Sequence, residues 1–256
     1  MALTVRNDIP RVIWVPNEFE RIQDAIWASE DGDTIIVRAD EYHGQLPFFA
    51  KNVSFISESG PELTIIDGTG FYTGAWITGG QDTTMTVRGF TFQNNSDFQC
   101  YGAFFSGANP RIVNNIFISN RDDIIDERRG FLIGKNAAII RNNLFIHLRN
   151  GMEISHSWGD VSNNMFLDIY RVMWNGAGHG QPLIPDYNLA WEYTIVGFSV
   201  WGEHNIMDQE PLFEDDSYIL REDSPGFNQG RPDIKDLDGS RSDIGVHGGP
   251  QAYTHP

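Results

Sequence analysis

The chain has 256 residues, 40% of them apolar and 21% charged, which describes a globular protein long enough for one large core. Asp and Glu outnumber Lys and Arg by 35 to 18, for a net charge of −17, so long-range attraction to nucleic acid is a poor source of binding. No apolar run reaches the ~20 residues of a membrane span, and the one cysteine, Cys100, rules out an internal disulfide and a zinc site built on several cysteines.

The first segment, Met1 to Asp8, has no basic stretch followed by an apolar one, so no secretory signal is visible in it. Asn17-Glu18-Phe19-Glu20 reads as a helix capping box, with Asn17 as N-cap and Glu20 at the third helical position. Phe19, Ile22 and Ile26 then share one helical face, and Gly32 closes the helix.

From there the chain repeats itself. Val113-Asn114-Asn115-Ile116-Phe117 recurs as Arg141-Asn142-Asn143-Leu144-Phe145 and as Ser162-Asn163-Asn164-Met165-Phe166, at steps of 28 and 21 residues. A looser copy is Val87-Arg88-Gly89-Phe90-Thr91-Phe92. Twelve of the 19 asparagines lie between Asn94 and Asn164, and stacked asparagines can hydrogen-bond along a column of identical turns. A second repeated segment comprises 74–78, 102–106, 130–134, 151–155 and 171–175. Short β-type runs at this period, separated by Gly, Asn and Asp, fit the coils of a solenoid in which each coil packs on its neighbours.

The reading is an all-β protein: a single right-handed parallel β-helix of about seven coils, capped by an N-terminal α-helix and an irregular C-terminal cap. The expected boundaries are 1–32 for the N-terminal segment and capping helix, 33–213 for the β-helix, and 214–256 for the C-terminal cap and tail. The helix would cover the open first coil, which is otherwise a sticky edge. Alternation in the second repeated segment points Ala75/Ile77, Ala103/Phe105, Phe131/Ile133, Met152/Ile154 and Val172/Trp174 inward. Trp76, Phe104, Leu132, Glu153 and Met173 then stack on the outside, one per coil. This apolar column is a candidate sugar- or partner-binding strip, or a surface that a loop covers.

Three stretches carry a resemblance. They are Ile22 to Ile26 with Gly32 to Val37, Lys51 to Gly68, and a closing segment of Pro211 to Phe213, Ser224-Pro225 and Asp236 to Gly245. On these the chain resembles the right-handed parallel β-helix proteins of the pectate-lyase-like superfamily, with Asn228 where Asp is expected. The resemblance implies the fold and an extracellular or periplasmic home. It leaves activity open, because the fold hosts lyases, epimerases, hydrolases and inert surface proteins.

Lys135 and His156 fall at equivalent points of adjacent coils, 21 residues apart, where side chains ~4.8 Å apart can meet one substrate. The loop before them supplies Asp122, Asp123, Asp126 and Glu127, hard oxygen ligands suited to Ca²⁺. Arg128 and Arg129 suit a carboxylate or sulfate. The set resembles what a polyuronate lyase needs: a neutralised carboxylate, a base in Lys135, and an acid for the leaving oxygen. Some calcium-dependent lyases of this fold carry Arg where His156 stands. The expected function is action on an acidic polysaccharide by β-elimination or C5 epimerisation. Lys135, His156 and Glu153 would be catalytic, Arg128, Arg129, Trp76 and Phe104 would bind substrate, and Ca²⁺ is the one cofactor.

Two alternatives stand beside it. One is a non-catalytic surface, adhesion or matrix module that binds polysaccharide, protein or a second copy through the outward column. The other is a glycoside hydrolase with paired carboxylates. For that, Asp122-Asp123 and Gly178-His179-Gly180 match polygalacturonase signatures superficially, but 56 residues separate Asp123 from His179, about two coils where that family has about one. The Asp-rich loop of Asp236, Asp238, Gly239, Ser240 and Asp243 lacks the first-position acid and final Glu of an EF-hand and reads as an Asx-turn or a calcium site. Trp174, Trp191, Trp201, Tyr187 and Tyr193 near the last coil serve either as a sugar platform or as a plug.

Overall fold

The structure is a computed structural model that describes residues 9–71, 73–93, 101–119, 129–134, 137–155, 159–175, 183–197 and 201–254. At positions 101, 104–106, 129–134, 155 and 175 it describes the backbone alone. It is an all-β parallel solenoid of about six turns with one helix.

Three faces wind along the axis. Face 1 is a seven-stranded sheet of Val12–Val15, Thr34–Val37, Ser54–Ser57, Thr86–Arg88, Arg111–Val113, Ile139–Arg141 and Asp160–Ser162. Face 2 stacks Asp40–His43, Thr64–Asp67, Thr91–Gln93 and Ile116–Ile118, then the first halves of Leu144–Ser155 and Met165–Asn175, then Leu189–Ile195 and Ile206–Met207. Face 3 stacks Leu46–Phe49, Thr73–Thr78, Tyr101–Ser106 and Arg129–Gly134 with the second halves of the two long strands. The two long strands and Leu189–Ile195 pass the corner between faces 2 and 3 at His147, Asp168 and Glu192, with φ of 54°, 49° and 53°.

Alternation makes the core a set of columns. Face 1 sends in Ile13, Ile35, Phe55, Val87, Ile112, Ile140 and Val161, one per rung and all buried. Face 2 sends in Phe92, Phe117, Phe145 and Phe166, whose rings stack at centroid distances of 5.1, 5.2 and 4.9 Å. Each fully buried Phe contributes roughly 1.5–3 kcal/mol of apolar burial.

The turn between faces 1 and 2 carries the expected asparagine ladder. Asn115, Asn143, Asn164, Asn188 and Asn205 occupy one corner of successive coils. The backbone N–H and Nδ2 of each donate to Oδ1 of the next, at 2.9–3.2 Å. Nδ2 of Asn143 also donates to the carbonyls of Ile112 and Arg141, so one amide ties its own coil to both neighbours. The residue before each of the first four ladder positions is left-handed: Asn114, Asn142, Asn163 and Tyr187 have φ of 53°, 52°, 58° and 57°, a region Asn tolerates better than most residues.

These outer asparagines hold the C-terminal segment. After packing on the last coils it runs back along the side of the solenoid. Asn163 meets Ser242 Oγ, Asn142 donates to the carbonyls of Asp243 and Gly245, and Asn114 donates to those of Val246 and Gly248. Further back, Arg88 donates to the Gln251 carbonyl and lies over the Tyr253 ring, while Tyr253 donates to the Ser57 carbonyl at 2.7 Å. Gly89 (φ 82°) leaves room for that ring, since a Cβ there would collide with the Tyr253 phenol. Leu220, Ile244 and Val246 of this strap bury the outward face-2 column of Ile116, Leu144, Met165 and Leu189 in a second apolar cluster.

Two local expectations are corrected. The helix, α1, spans Ile22–Ala28 and begins after an extended Arg21, with no side-chain cap. Residues around Asn17 form a turn in which Trp14 N–H donates to the Glu18 carboxylate and Glu18 N–H to the Trp14 carbonyl, so they are not available to start a helix. Its end is capped by Ser29 and by Lys51, whose ammonium donates to the carbonyls of Ile26, Trp27 and Ser29. Gly32 (φ 89°) instead turns the chain into Thr34–Val37. Ile22 and Ile26 are buried as expected, together with Ala25, while Phe19 precedes the helix.

The second correction is in face 3. Met173 is buried and Trp174 is exposed, the reverse of the expectation. The coil step there is 21 residues, as in the asparagine ladder, so Met152 pairs with Met173 and Glu153 with Trp174. A step of 20 flips every side chain to the other side.

Asn143→Ala removes the centre of the ladder and leaves buried backbone groups unpaired. It is expected to lose about 2–4 kcal/mol of unfolding free energy. Asn205→Ala, at the half-buried last position, should lose about 1 kcal/mol. Urea unfolding of both variants checks this, and equal losses would refute an interior ladder stronger than its end.

Candidate functional site

Face 3 presents the outward column. Its register runs Pro47, Trp76, Phe104, Leu132, Glu153, Trp174. Trp76 is exposed, and its inward neighbours Ala75 and Ile77 are buried, as the alternation requires. For Phe104 and Leu132 the structure fixes the strand position. Glu153 is half-buried, and Trp174 is exposed beneath the Arg171 guanidinium, 5.5 Å from the ring centroid.

The strip extends beyond the column. Phe49, exposed on the first strand of the face, meets Trp76 edge-on at 6.0 Å between centroids. Trp27 of α1, 61% exposed, lies 6.4 Å from Phe49. Three exposed aromatic rings therefore run from the helix across two coils. Sequence reasoning missed Trp27 and Phe49. Their signal was an aromatic residue directly after a buried one, in Ile26-Trp27 and Phe48-Phe49, which places the second on the outer side.

Beside this column lies a polar one: Tyr101, Arg129, Asn150 and Arg171 in pairing register. Asn150 is 3% exposed, and its Oδ1 has no hydrogen-bond partner among the described residues. Two arginine positions thus flank a buried amide, one strand away on either side.

Most of the other candidates cannot be placed. Lys135 and His156 lie outside the described residues. The residues before them, Gly134 and Ser155, pair directly on adjacent strands. Asp122, Asp123, Asp126, Glu127 and Arg128 also lie outside the described residues, as do Cys100 and Gly178-His179-Gly180. Arg129 is placed by its backbone at the first position of its strand. Among the described residues, no group of three or more His, Cys, Asp or Glu side chains is arranged to hold a metal ion.

The aromatic residues of the last coils divide between the core, the strap and the surface, where Trp174 is exposed. Trp201 and Tyr193 pack on the main core and Trp191 on the second apolar cluster. Tyr187 stacks on His204 at 4.4 Å, and His204 in turn is held by Asp186 through its ring and its backbone N–H.

The Asp-rich loop uses its oxygens on its own backbone. Asp238 accepts from the Ser240 N–H and hydroxyl, an Asx-turn. Asp236 accepts from the N–H groups of Asp243 and Gly249, and Asp243 from that of Asn228. Burial pushes the Asp243 carboxyl up to about 6, aided by the carboxylates of Asp236 and Asp238 and opposed by the Asn228 N–H and by His247. Burial also raises Asp236. At the strap's other edge Asp160 is held low despite burial, because Arg141, Ser162 and Arg231 surround it.

No protein-family model, no curated protein and no solved structure matches this chain.

The raised carboxyl has a consequence for the strap. Folded Asp243 keeps a proton that the unfolded chain releases, so its contribution to stability falls as pH rises from about 4 through about 6. The strap is therefore expected to hold more firmly at pH 5 than at pH 7, and Asp243→Asn should flatten that difference. Urea midpoints of both proteins at the two pH values test it. A wild-type protein that gains as much from pH 5 to pH 7 as the variant does would refute it.

Proposed function

We propose that the protein binds an acidic polysaccharide along face 3 and acts on it by removing the proton beside a uronate carboxylate, leading to β-elimination or C5 epimerisation. The observation that carries the reading is the exposed aromatic strip of Trp27, Phe49 and Trp76 at one end of face 3, whose strands further along the axis carry Arg129 and Arg171. An extended chain laid along the axis would pass the ring faces first and the strand positions of Arg129 and Arg171 two and four rungs further on. Aromatic rings suit the C–H faces of sugars, and arginine suits carboxylates. Lys135 is the proposed base and His156 its proposed partner, since the residues that precede them in sequence, Gly134 and Ser155, pair on adjacent strands. Glu153 lies one rung along in the same surface. The reading agrees with the resemblance to the pectate-lyase-like superfamily and with an extracellular or periplasmic protein.

A second reading has its own support. Trp27 stands on α1, off the sheet, and is the most exposed ring of the strip. A patch that continues onto the helix also suits a partner protein or a second copy in a non-catalytic surface module.

One experiment separates them. The protein is incubated with a panel of polyuronates, with and without Ca²⁺, while unsaturated product and binding are followed together. Turnover that falls about 10²-fold or more in Lys135→Ala, with binding kept, supports the enzyme. Trp76→Ser is expected to weaken binding about tenfold. Absence of both binding and product on every polyuronate, with self-association that is lost in Trp27→Ser, would replace the first reading by the second.

A further inference from the structure

A cavity of about 360 Å³ lies between face 1 and the returning strap. That volume falls at the small end of ligand pockets. Face 1 contributes Arg111, Val113 and Arg141, and the strap contributes Asp233, Lys235 and Asp236. None of its lining comes from face 3, so the cavity is independent of the polysaccharide reading.

Most of its charges are already engaged. Arg141 donates through Nε and Nη2 to Asp160. Asp233 accepts from Nε and Nη2 of Arg231. Asp236 accepts from two backbone N–H groups. Arg111 and Lys235 are different: neither side chain has an ion-pair or hydrogen-bond partner among the described residues. Nε of Arg111 is moreover buried and unpartnered. Burying a charged donor without an acceptor is costly, and native structures seldom do it without a reason.

Arg111 is fixed in place. Its backbone pairs with Thr86 on one side and Ile139 on the other, and its residue column ends at Asp160, two coils on. The guanidinium presents parallel donors that suit a carboxylate. The carboxylates of Asp233 and Asp236 keep lone pairs for hydroxyl donors, and the carbonyl-rich strap around Gly249 to Gln251 forms the remaining wall. A simple inorganic anion would find the cations but leave these acceptors facing its own charge.

We propose that this cavity is a binding site for a small hydroxylated carboxylate of about monosaccharide size, with Arg111 taking the carboxylate, Lys235 adding charge, and Asp233 and Asp236 accepting its hydroxyls. Such a ligand would bridge face 1 to the strap and so hold the strap down.

The test uses the full-length protein and calorimetric titration with glucuronate, with glucose and inorganic phosphate as controls. Glucuronate should bind one to one, and glucose should bind at least about tenfold more weakly, having no group for Arg111. Phosphate should also bind more weakly, because the two aspartates repel it. Arg111→Met should weaken glucuronate about tenfold or more, while its unligated melting temperature stays near that of the parent. Arg111→Lys, which keeps charge but not the paired donors, should recover part of the affinity. Hydrogen exchange at Gly245 and Gly248, whose N–H groups donate to the carbonyls of Asn163 on the coil and Gly245 in the strap, should slow when glucuronate is added and not in Arg111→Met. Failure of glucuronate to bind, or binding unchanged in Arg111→Met, would overturn the proposal. Phosphate binding as tightly as glucuronate would overturn the assignment to a hydroxylated ligand. Retained binding in Trp76→Ser separates this site from face 3.

Discussion

Stacked parallel coils are joined by backbone hydrogen bonds that run along the axis, and a corner between faces is where that ladder breaks. Buried N–H and C=O groups at a corner must find other partners. Here the asparagine ladder supplies them. Asn115 reaches back to the Val87 carbonyl, takes the Val113 carbonyl in its own coil, and meets Oδ1 of Asn143 in the next. Each amide thereby fixes the register of three coils at once. Every other column depends on that register: the stacked phenylalanines, the face-1 aliphatics and the outward strip of face 3. A one-residue slip at any coil between Asn115 and Asn205 would break the ladder and turn core side chains outward together.

The paired asparagines of each repeat have separate tasks. The second, buried in the corner, makes the ladder. The first, left-handed and facing out, holds the strap. This division explains why face 2 can carry apolar residues on both of its sides. Ile116, Leu144, Met165 and Leu189 point away from the core, yet the strap's Leu220, Ile244 and Val246 bury them. At the other end of the same column, beyond the strap's second cluster, Glu41 is exposed and polar. Among the described residues, the apolar strip of face 3 has no such cover from the strap. The strap hides one outward apolar column, whereas Trp27, Phe49 and Trp76 stay exposed, and this contrast is the physical ground for proposing recognition on face 3.

The fold was legible because repetition is a strong signal. The Asn-Asn pairs mark the coils, the corner and the ladder, and alternation places Ala75, Ile77, Met152 and Ile154 inside. Legibility fails where the signal is local. The capping box at Asn17 rests on four residues, but a Trp14–Glu18 turn uses those groups first. Met173 and Trp174 exchange places because the last copy aligns on Gly151 and Arg171 in sequence, whereas pairing keeps the 21-residue step set by the asparagines. The strap was invisible for a different reason. Its contacts join residues more than a hundred positions apart, such as Asn114 with Val246, and no periodicity records them. Of the candidate site, the outward column and the coil equivalence of Lys135 and His156 can be read from the repeats. Trp27 and Phe49 cannot, because they belong to the strip by adjacency in space and not by repeat position.

Net charge, the first number in the sequence, describes the whole and not its parts. Arg88, Arg111, Arg141, Arg231, Lys235 and Arg241 all lie along the seam between coil and strap, six of the 18 basic residues. The strap is acidic, with Asp233, Asp236, Asp238 and Asp243 within about ten residues, and those cations meet it. A charge of −17 still repels polyanions at a distance, but within a Debye length of roughly 8–10 Å the local pairs decide. At the seam all but two of the named cations have a ring, a carbonyl or a carboxylate to meet. Among the described residues Arg111 and Lys235 do not, and both line the same cavity. An acidic protein that concentrates its cations in one seam and leaves two of them unanswered there has a local preference for an anion that its overall charge conceals.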